Sequence, residues 1–381
     1  MRTTNIDWAP FIPDNWDVVR LKDIARLQSG EGITSNDIDE VGDYPVYGGN
    51  GLRGYADKYT NDGSYVLIGR QGALCGNINY AKGKFYASEH AVVVYTHDKH
   101  ENTTWLGETL RMANFNRLSA SAAQPGLAVS VLNIQKIPYP PKDIRHRIGD
   151  YLDAKLGKID ARIAILEKQQ NAYARLKKSV IHQAVTRGLD PNVSLKDSGV
   201  EWIGMNPEHW MALHLKHCVT INNGRDYKQI EADSGIPVIG SGGQFAYVSE
   251  AMYDGEALLL GRKGTIDKPM YFNGSFWAVD TMFYAIAKKD VNTKYIYYCA
   301  NSFPFIKIST ATALPSMTQT DLYQLPVMLP PLSEQQAIAA YLDEKCTKID
   351  AATENIGKQI DALKRLKRAL INEVVTGQRA V

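Results

Sequence analysis

The sequence has little cysteine, no long hydrophobic run and almost no net charge, and each shortage narrows what the chain can be. Four cysteines in 381 residues (Cys75, Cys218, Cys299 and Cys346) show neither a CxxC pair nor a His/Cys ligand spacing. That excludes a disulfide framework or a zinc ribbon and suits reduced thiols in the cytoplasm. The opening MRTTNIDW is polar, without the apolar core of a secretory signal. No stretch approaches the length of about 18 consecutive apolar residues that a membrane span needs. The formal charge is +2, so composition alone does not announce a nucleic-acid partner. Hydrophobic and charged fractions of 44% and 22% are those of a globular protein. A chain of this length exceeds one ordinary core, and two or three domains are expected.

Catalytic motifs are equally scarce. There is no GxxxxGK[ST], no HExxH and no GxSxG. Gly49-Asn50-Gly51-Leu52-Arg53-Gly54 fits GxGxxG, but a dinucleotide site also needs a helix opening at the third glycine. Tyr55-Ala56-Asp57-Lys58-Tyr59 follows without an apolar stripe, so a glycine-rich turn is the better reading. The eight histidines are scattered, and His214 and His217 lack a metal partner in the sequence. An amino-methyltransferase would carry Asp/Asn-Pro-Pro-Tyr/Phe to grip a flipped base. Pro140-Pro141 and Pro330-Pro331 are followed instead by Lys142 and Leu332, and read as helix boundaries.

Two long amphipathic stretches are what the chain does have. From Lys142 to Arg187 apolar residues recur at Ile148, Leu152, Leu156, Ile159, Ile163, Leu166, Tyr173, Leu176 and Val180. Steps of three and four set them on one helical stripe. A rod with so narrow a stripe needs a partner rod. The C-terminal stretch supplies it, with Ile338, Leu342, Cys346, Ile349, Ile356, Leu363, Leu366 and Leu370. Shifted by 190 residues, Tyr151-Leu152-Asp153 falls on Tyr341-Leu342-Asp343 and Arg175-Leu176-Lys177 on Arg365-Leu366-Lys367. The first stretch to Gly188 holds eleven Lys and Arg against five Asp and Glu.

The duplication extends through the whole chain. Trp8, Pro13 and Trp16 match Trp202, Pro207 and Trp210 at an offset of 194. Leu67-Ile68-Gly69-Arg70 faces Leu259-Leu260-Gly261-Arg262 at 192, Gly83 to Ala87 faces Gly274 to Ala278 at 191, and Ser119 to Pro125 faces Ser309 to Pro315 at 190. The drift marks short deletions in loops, and the period is far beyond that of a solenoid. Within each copy, short β-type runs such as Tyr65–Ile68, Ala91–Tyr95, Ala257–Leu260 and Met282–Ile286 are punctuated by Gly, Asn and Asp. The polar connector from Gly188 to Ser194 separates the copies.

These features resemble one family closely: the specificity subunits of type I restriction–modification systems. The residues that carry the likeness are Trp8, Pro13 and Trp16, the helix starts PPKDIRHRIGDYLD and PPLSEQQAIAAYLD, and the junction from Thr186 through Gly204. One departure is Ile144-Arg145-His146, where the family and the second copy favour Ser/Glu-Glu-Gln. The resemblance implies an α+β chain of two tandem mixed α/β target-recognition domains (1–141 and 189–332). Each is followed by a long helix (142–188 and 333–381). The helices would pair as an antiparallel coiled coil with pseudo-twofold symmetry, through Ile148, Leu152, Ile159, Ile163 and Leu166 on one side and Leu342, Ile349, Ile356, Leu363 and Leu370 on the other.

The resemblance further implies a chain with no catalytic residue, metal or cofactor of its own. It would read double-stranded DNA, one domain per half-site of a bipartite target. Two modification subunits, using S-adenosylmethionine, and two restriction/translocase subunits, using ATP and Mg, would dock on it, with no membrane involved. The specificity subunit of a fused restriction–methylation enzyme, or a standalone DNA methyltransferase, are the alternatives. Affinity is expected from cations on phosphates and sequence from side chains at base edges. Basic residues coincide with glycine-rich turns at Arg53, Arg70, Lys82, Lys84, Arg117, Arg225, Lys228, Arg262, Lys263 and Lys307. Positions that recur, Arg70/Arg262 and Gly72/Gly264, suit the scaffold or phosphates. Positions that differ, Glu31 against Arg225 and Gln124 against Leu314, suit base reading.

Overall fold

The computed structural model describes residues 1–72, 74–119, 126–309 and 315–381; the Gln124/Leu314 pair lies outside them. The chain divides into two compact units, Met1–Leu166 with Lys358–Val381, and Glu167–Gly357. Each therefore combines one globular copy with a stretch of both long helices.

The six-stranded sheet of the first unit comprises β1 (Ala25–Ser29), β2 (Tyr44–Gly48), β3 (Gly51–Ala56), β4 (Asn61–Gly69), β5 (Ile78–Ala87) and β6 (Ala91–Thr96). Helix α1 spans Thr103–Met112 and α2 spans Lys142–Arg187. The second unit repeats them as β7 (Val219–Asn223), β8 (Ile236–Gly240), β9 (Gly243–Val248), β10 (Tyr253–Gly261), β11 (Met270–Ala278), β12 (Met282–Ala287) and α3 (Thr293–Ala300). Helix α4 spans Leu332–Val375. The sheet orders are β1-β6-β4-β5-β2-β3 and β7-β12-β10-β11-β8-β9, the latter with the two-residue strand Glu231–Ala232 at its edge. In each, one pair is parallel: Val46 with Tyr86 and Tyr47 with Ala87, and Val238 with Trp277 and Ile239 with Ala278.

Local chemistry explains the helix ends. Asn102 and Asn292 cap α1 and α3, their side-chain oxygens accepting from the Trp105 and Tyr295 amides at 2.9 Å each. The two Pro-Pro pairs precede α2 and α4, and Gly188 and Gly377, at φ of +74° and +71°, follow their last turns. At 46 and 44 residues the helices are each about 65–70 Å long.

The long helices pack antiparallel within each unit. In the first, Ile148, Leu152 and Leu156 of α2 share a buried cluster with Leu370, Ile371, Val374 and Val375 of α4. Lys367 bonds Asp160 at 2.7 Å. In the second, Ile181, Ala184 and Val185 share a cluster with Ile338, Leu342 and Cys346, and Lys177 bonds Asp350 at 2.6 Å. These exposed ion pairs are each worth about 0–1 kcal/mol, so they mark register more than they hold the rods together.

The same clusters contain the globular cores, Trp105, Leu106 and Leu110 in one and Tyr295, Ile296 and Cys299 in the other. The stripe thus faces a sheet-and-helix core as well as a partner rod. Leu166, Ile349 and Ile356 are buried, whereas Ile159, Ile163 and Leu363 are half-buried. Leu176 and Leu366, placed on the stripe by spacing, are half exposed. Their neighbours Lys177 and Lys367 take the inner position, where each meets its aspartate.

Candidate nucleic-acid interface

Turns of the first sheet gather at one rim. Gly30 donates to the Ala91 carbonyl and Glu31 to Ala87, both at 2.9 Å; Ser88 donates to Tyr47 at 2.9 Å; Arg70 donates to His90 at 2.8 Å and accepts from Leu127 at 2.9 Å. The second unit reproduces this frame. Arg225 donates to Ala278 at 2.9 Å, Val279 to Ile239 at 3.2 Å and Arg262 to Thr281 at 2.8 Å, and the Arg262 carbonyl accepts from Met317 at 3.0 Å. Glycine makes the convergence possible. A Cβ on Gly224 would stand 1.9 Å from the Val279 oxygen, and one on Gly30 would stand 2.2 Å from that of Ala87. Gly72 and Gly264 turn at φ of +89° and +81°, a conformation open to glycine.

The expected DNA-contacting residues divide by where this frame puts them. Arg70, Arg225, Arg262 and Lys263 lie on the rims. Glu31 and Arg225 occupy the same backbone position, both exposed. The Arg262 guanidinium reaches the Asp280 carbonyl at 3.4 Å and lies 5.7 Å from the Phe283 ring centre. Arg53 sits on β3 beside the rim turn. Lys228 follows Arg225 by three residues, its amide bonded to Asp226 at 3.2 Å.

The remaining four are elsewhere. Arg117 and Lys307, equivalent by repeat, face Asp7 and Glu201 at 3.6 Å each. Lys84 stands 4.7 Å over the Tyr59 ring. Lys82 opens onto a hollow of 620 Å³ beside α2, shared with Tyr80, Arg111, Asp160 and Lys367. There Tyr80 donates to Glu108 at 2.8 Å, and Arg111 holds the other carboxylate oxygen at 3.0 Å. Burial first, then Glu108, keeps the Tyr80 phenol above its ordinary range, so it stays a donor.

Residues Gly49–Gly54 form the β2–β3 turn and strand, with no helix opening after them. Burial pushes the Cys218 thiol up to about 11, away from reactive thiolate character. Among the described residues no group of three His, Cys, Asp or Glu is placed to hold a metal, and no helix is long and apolar enough to cross a membrane.

Residues 13–173 and 207–365 match the family described as type I restriction modification DNA specificity domain. The chain belongs to that family. Each matched segment falls within one of the two copies read from the sequence. A type I restriction enzyme EcoprrI specificity subunit from Escherichia coli is 38% identical over 165 residues, covering 42% of this chain and 41% of that protein. The MjaVIII specificity subunit from Methanocaldococcus jannaschii is 22% identical over 413 aligned residues, covering 96% and 93%. A chain solved in work on complex assembly and conformational transition of the type I R-M system superposes with a TM-score of 0.67, at 15% identity over 96% and 98% of the two chains. At that identity the superposition speaks for the fold.

The specificity family accounts for the duplicated frame: two copies of a DNA specificity domain have one backbone plan and different surface side chains. It also separates the two sets of repeated features. The helix clusters and the Asp–Lys pairs recur with their chemistry intact. The rim recurs in backbone and at Arg70/Arg262, but its side chains differ at Glu31/Arg225.

Proposed function

We propose that this chain is the DNA-reading subunit of a type I restriction–modification complex, with each unit's rim set against one half of a bipartite target. The observation that carries the reading is the duplicated rim, with identical backbone bonds and Glu31 exchanged for Arg225. Arg70, Arg262 and Lys263 would neutralise phosphates, with Arg53 and Lys228 at the rims and Lys82 and Lys84 farther off as further DNA contacts. Arg117 and Lys307 would have to leave Asp7 and Glu201 to do so.

Modification subunits binding S-adenosylmethionine, two per complex, would dock on the long helices, and two ATP- and Mg-dependent restriction/translocase subunits would join them in the cytoplasm. An open hollow of 600 Å³ supports docking there; in the second unit it is lined by Tyr173 and Leu176 of α2 and by Ala352 and Ile356 of α4. The half-exposed Leu176 lies at its edge. The chain itself would perform no bond-making step. Mapping methylated adenines in a host with and without this chain tests the reading. A two-part motif that appears only with the chain is expected, and the absence of any chain-dependent motif would overturn it.

A further inference from the structure

The hairpins β2–β3 and β8–β9 break register at the same place. In the first, Val46 pairs with Gly54 and Tyr47 with Leu52, so Arg53 is left without a partner across the ladder. In the second, Val238 pairs with Ala246 and Ile239 with Gln244, leaving Phe245. Each is a β-bulge, which bends a strand and re-aims one side chain. Arg53 and Phe245 are equivalent residues at the repeat offset of 192.

They are also seated alike. A Cβ on Gly48 would meet Arg53 Cδ at 2.5 Å, and one on Gly240 would meet Phe245 Cε1 at 3.0 Å. Both glycines close the preceding strand, so each bulged side chain lies back across the end of that strand, toward the rim. The next residue, Gly49, approaches the Gln71 and His90 carbonyls so closely that its Cβ would lie 2.8 and 3.3 Å from them. The bulge and its Gly48/Gly240 seat are common to both units; Ser241 stands where the first has Gly49, and the bulged side chains differ in chemistry.

Phe245 is 56% exposed, so most of its ring is uncovered. Tyr227 braces it edge-on at 5.4 Å and 84°. A large exposed ring braced by Tyr227, which lies between Arg225 and Lys228 in sequence, is well suited to contact. A phosphate-gripping position would keep its charge in both copies, as Arg70 and Arg262 do. This position exchanges a guanidinium for a phenyl ring.

We propose that the bulged residue is a base-reading residue in each unit, resting on the reading that the rims face DNA. Arg53 presents its fork to guanine O6 and N7, and Phe245 packs against the 5-methyl group of thymine in the major groove.

The test uses the full chain assembled with its modification subunits and a duplex library randomised across both half-sites. Arg53→Ala should erase a guanine preference in one half-site and leave the other half unchanged. Phe245→Ala should do the same for a thymine in the other. The loss at Arg53 should be about 5- to 150-fold in discrimination, and that at Phe245, where one methyl group is read, about 4-fold. Replacing that thymine by uracil removes only the methyl group; it should weaken the wild-type complex and leave Phe245→Ala as it was. Arg53→Lys and Phe245→Leu keep charge or apolar bulk if alanine disturbs a hairpin, and should show partial loss at the same base pair. Variants with wild-type base preferences, or with affinity reduced equally on every sequence, would overturn the assignment while leaving DNA reading intact. A wild-type complex that selects no sequence would instead sink the reading on which the assignment rests.

Discussion

The sharpest quantitative prediction comes from Arg145, in the Ile144-Arg145-His146 stretch where the first helix start departs from the second. Its guanidinium bonds Glu101 at 2.8 Å and the Pro140 carbonyl at 2.7 Å, and lies 4.0 Å over the Tyr139 ring. The two charged side chains are only 6% and 3% exposed. At the equivalent place Gln335 donates to the Pro330 carbonyl at 2.8 Å and accepts from the Asn292 amide at 2.8 Å, and the position of Glu101 is taken by Val291. The two units thus hold an ionic and a neutral solution to one problem. Arg145→Gln alone leaves the buried Glu101 carboxylate without its cation, with only the Asn102 amide at 3.2 Å and the Tyr139 hydroxyl at 3.5 Å, at a cost of about 3–5 kcal/mol. For a unit of this size that lowers the melting temperature by roughly 6–20 °C, at 2–4 °C per kcal/mol. Adding Glu101→Val removes the stranded charge and recreates the other unit's contacts, so most of the loss should return, to within about 1 kcal/mol of wild type. Calorimetry of the full chain, with amide exchange across α1 and the first turns of α2, reads both steps. A double variant no more stable than Arg145→Gln would refute the equivalence of the two solutions.

Three further outcomes are expected. Cysteines at Asp160 and Lys367 should be bridged by a short bismaleimide within one chain, and no intrachain product would contradict the antiparallel register. Arg262→Ala should weaken DNA binding across sequences and lower the salt slope by about one unit; a relaxed preference at one base pair, with the slope unchanged, would make it a base reader. A heptad inserted after Ile163 and, opposite it, after Leu363 keeps the stripe and adds about 10 Å to each helix. The unread gap in the methylated motif should then grow by about one to three base pairs at 3.4 Å each, and an unchanged gap in an active complex would leave the helices as docks alone.

Much of the fold was legible because it is written twice. A 3.6-residue period and a constant offset of 190 expose both helices without any knowledge of their contacts. The same offset conceals the pairing, however. Repeat alignment sets Ile163 beside Thr353, because it matches equivalent residues. The bonds Asp160–Lys367 and Lys177–Asp350 run antiparallel, and their register sets Ile163 opposite Lys364. Spacing also put Leu176 and Leu366 inward, where the aspartates draw Lys177 and Lys367 instead. Arg117 and Lys307 read as free cations because Asp7 and Glu201 lie more than a hundred residues away in sequence.

The site was harder to read for a related reason. A search for basic residues near glycines finds groups that can neutralise phosphate, and it gathered Arg70, Arg225, Arg262 and Lys263 on the rims. It has no power to find a reader that is uncharged. Phe245 carries no such signal, and Arg53 entered only as one cation among ten. What singles them out is a register shift in two hairpins, a property of strand pairing that no local sequence pattern encodes. In a duplicated reader the frame must be constant and the reading residues must vary. The comparison that exposes such residues is therefore between the two units of one structure, at positions of equal backbone and unequal chemistry. By that criterion the bulge, like the Glu31/Arg225 position, ranks above Arg70 and Arg262, which agree and so cannot by themselves tell two half-sites apart.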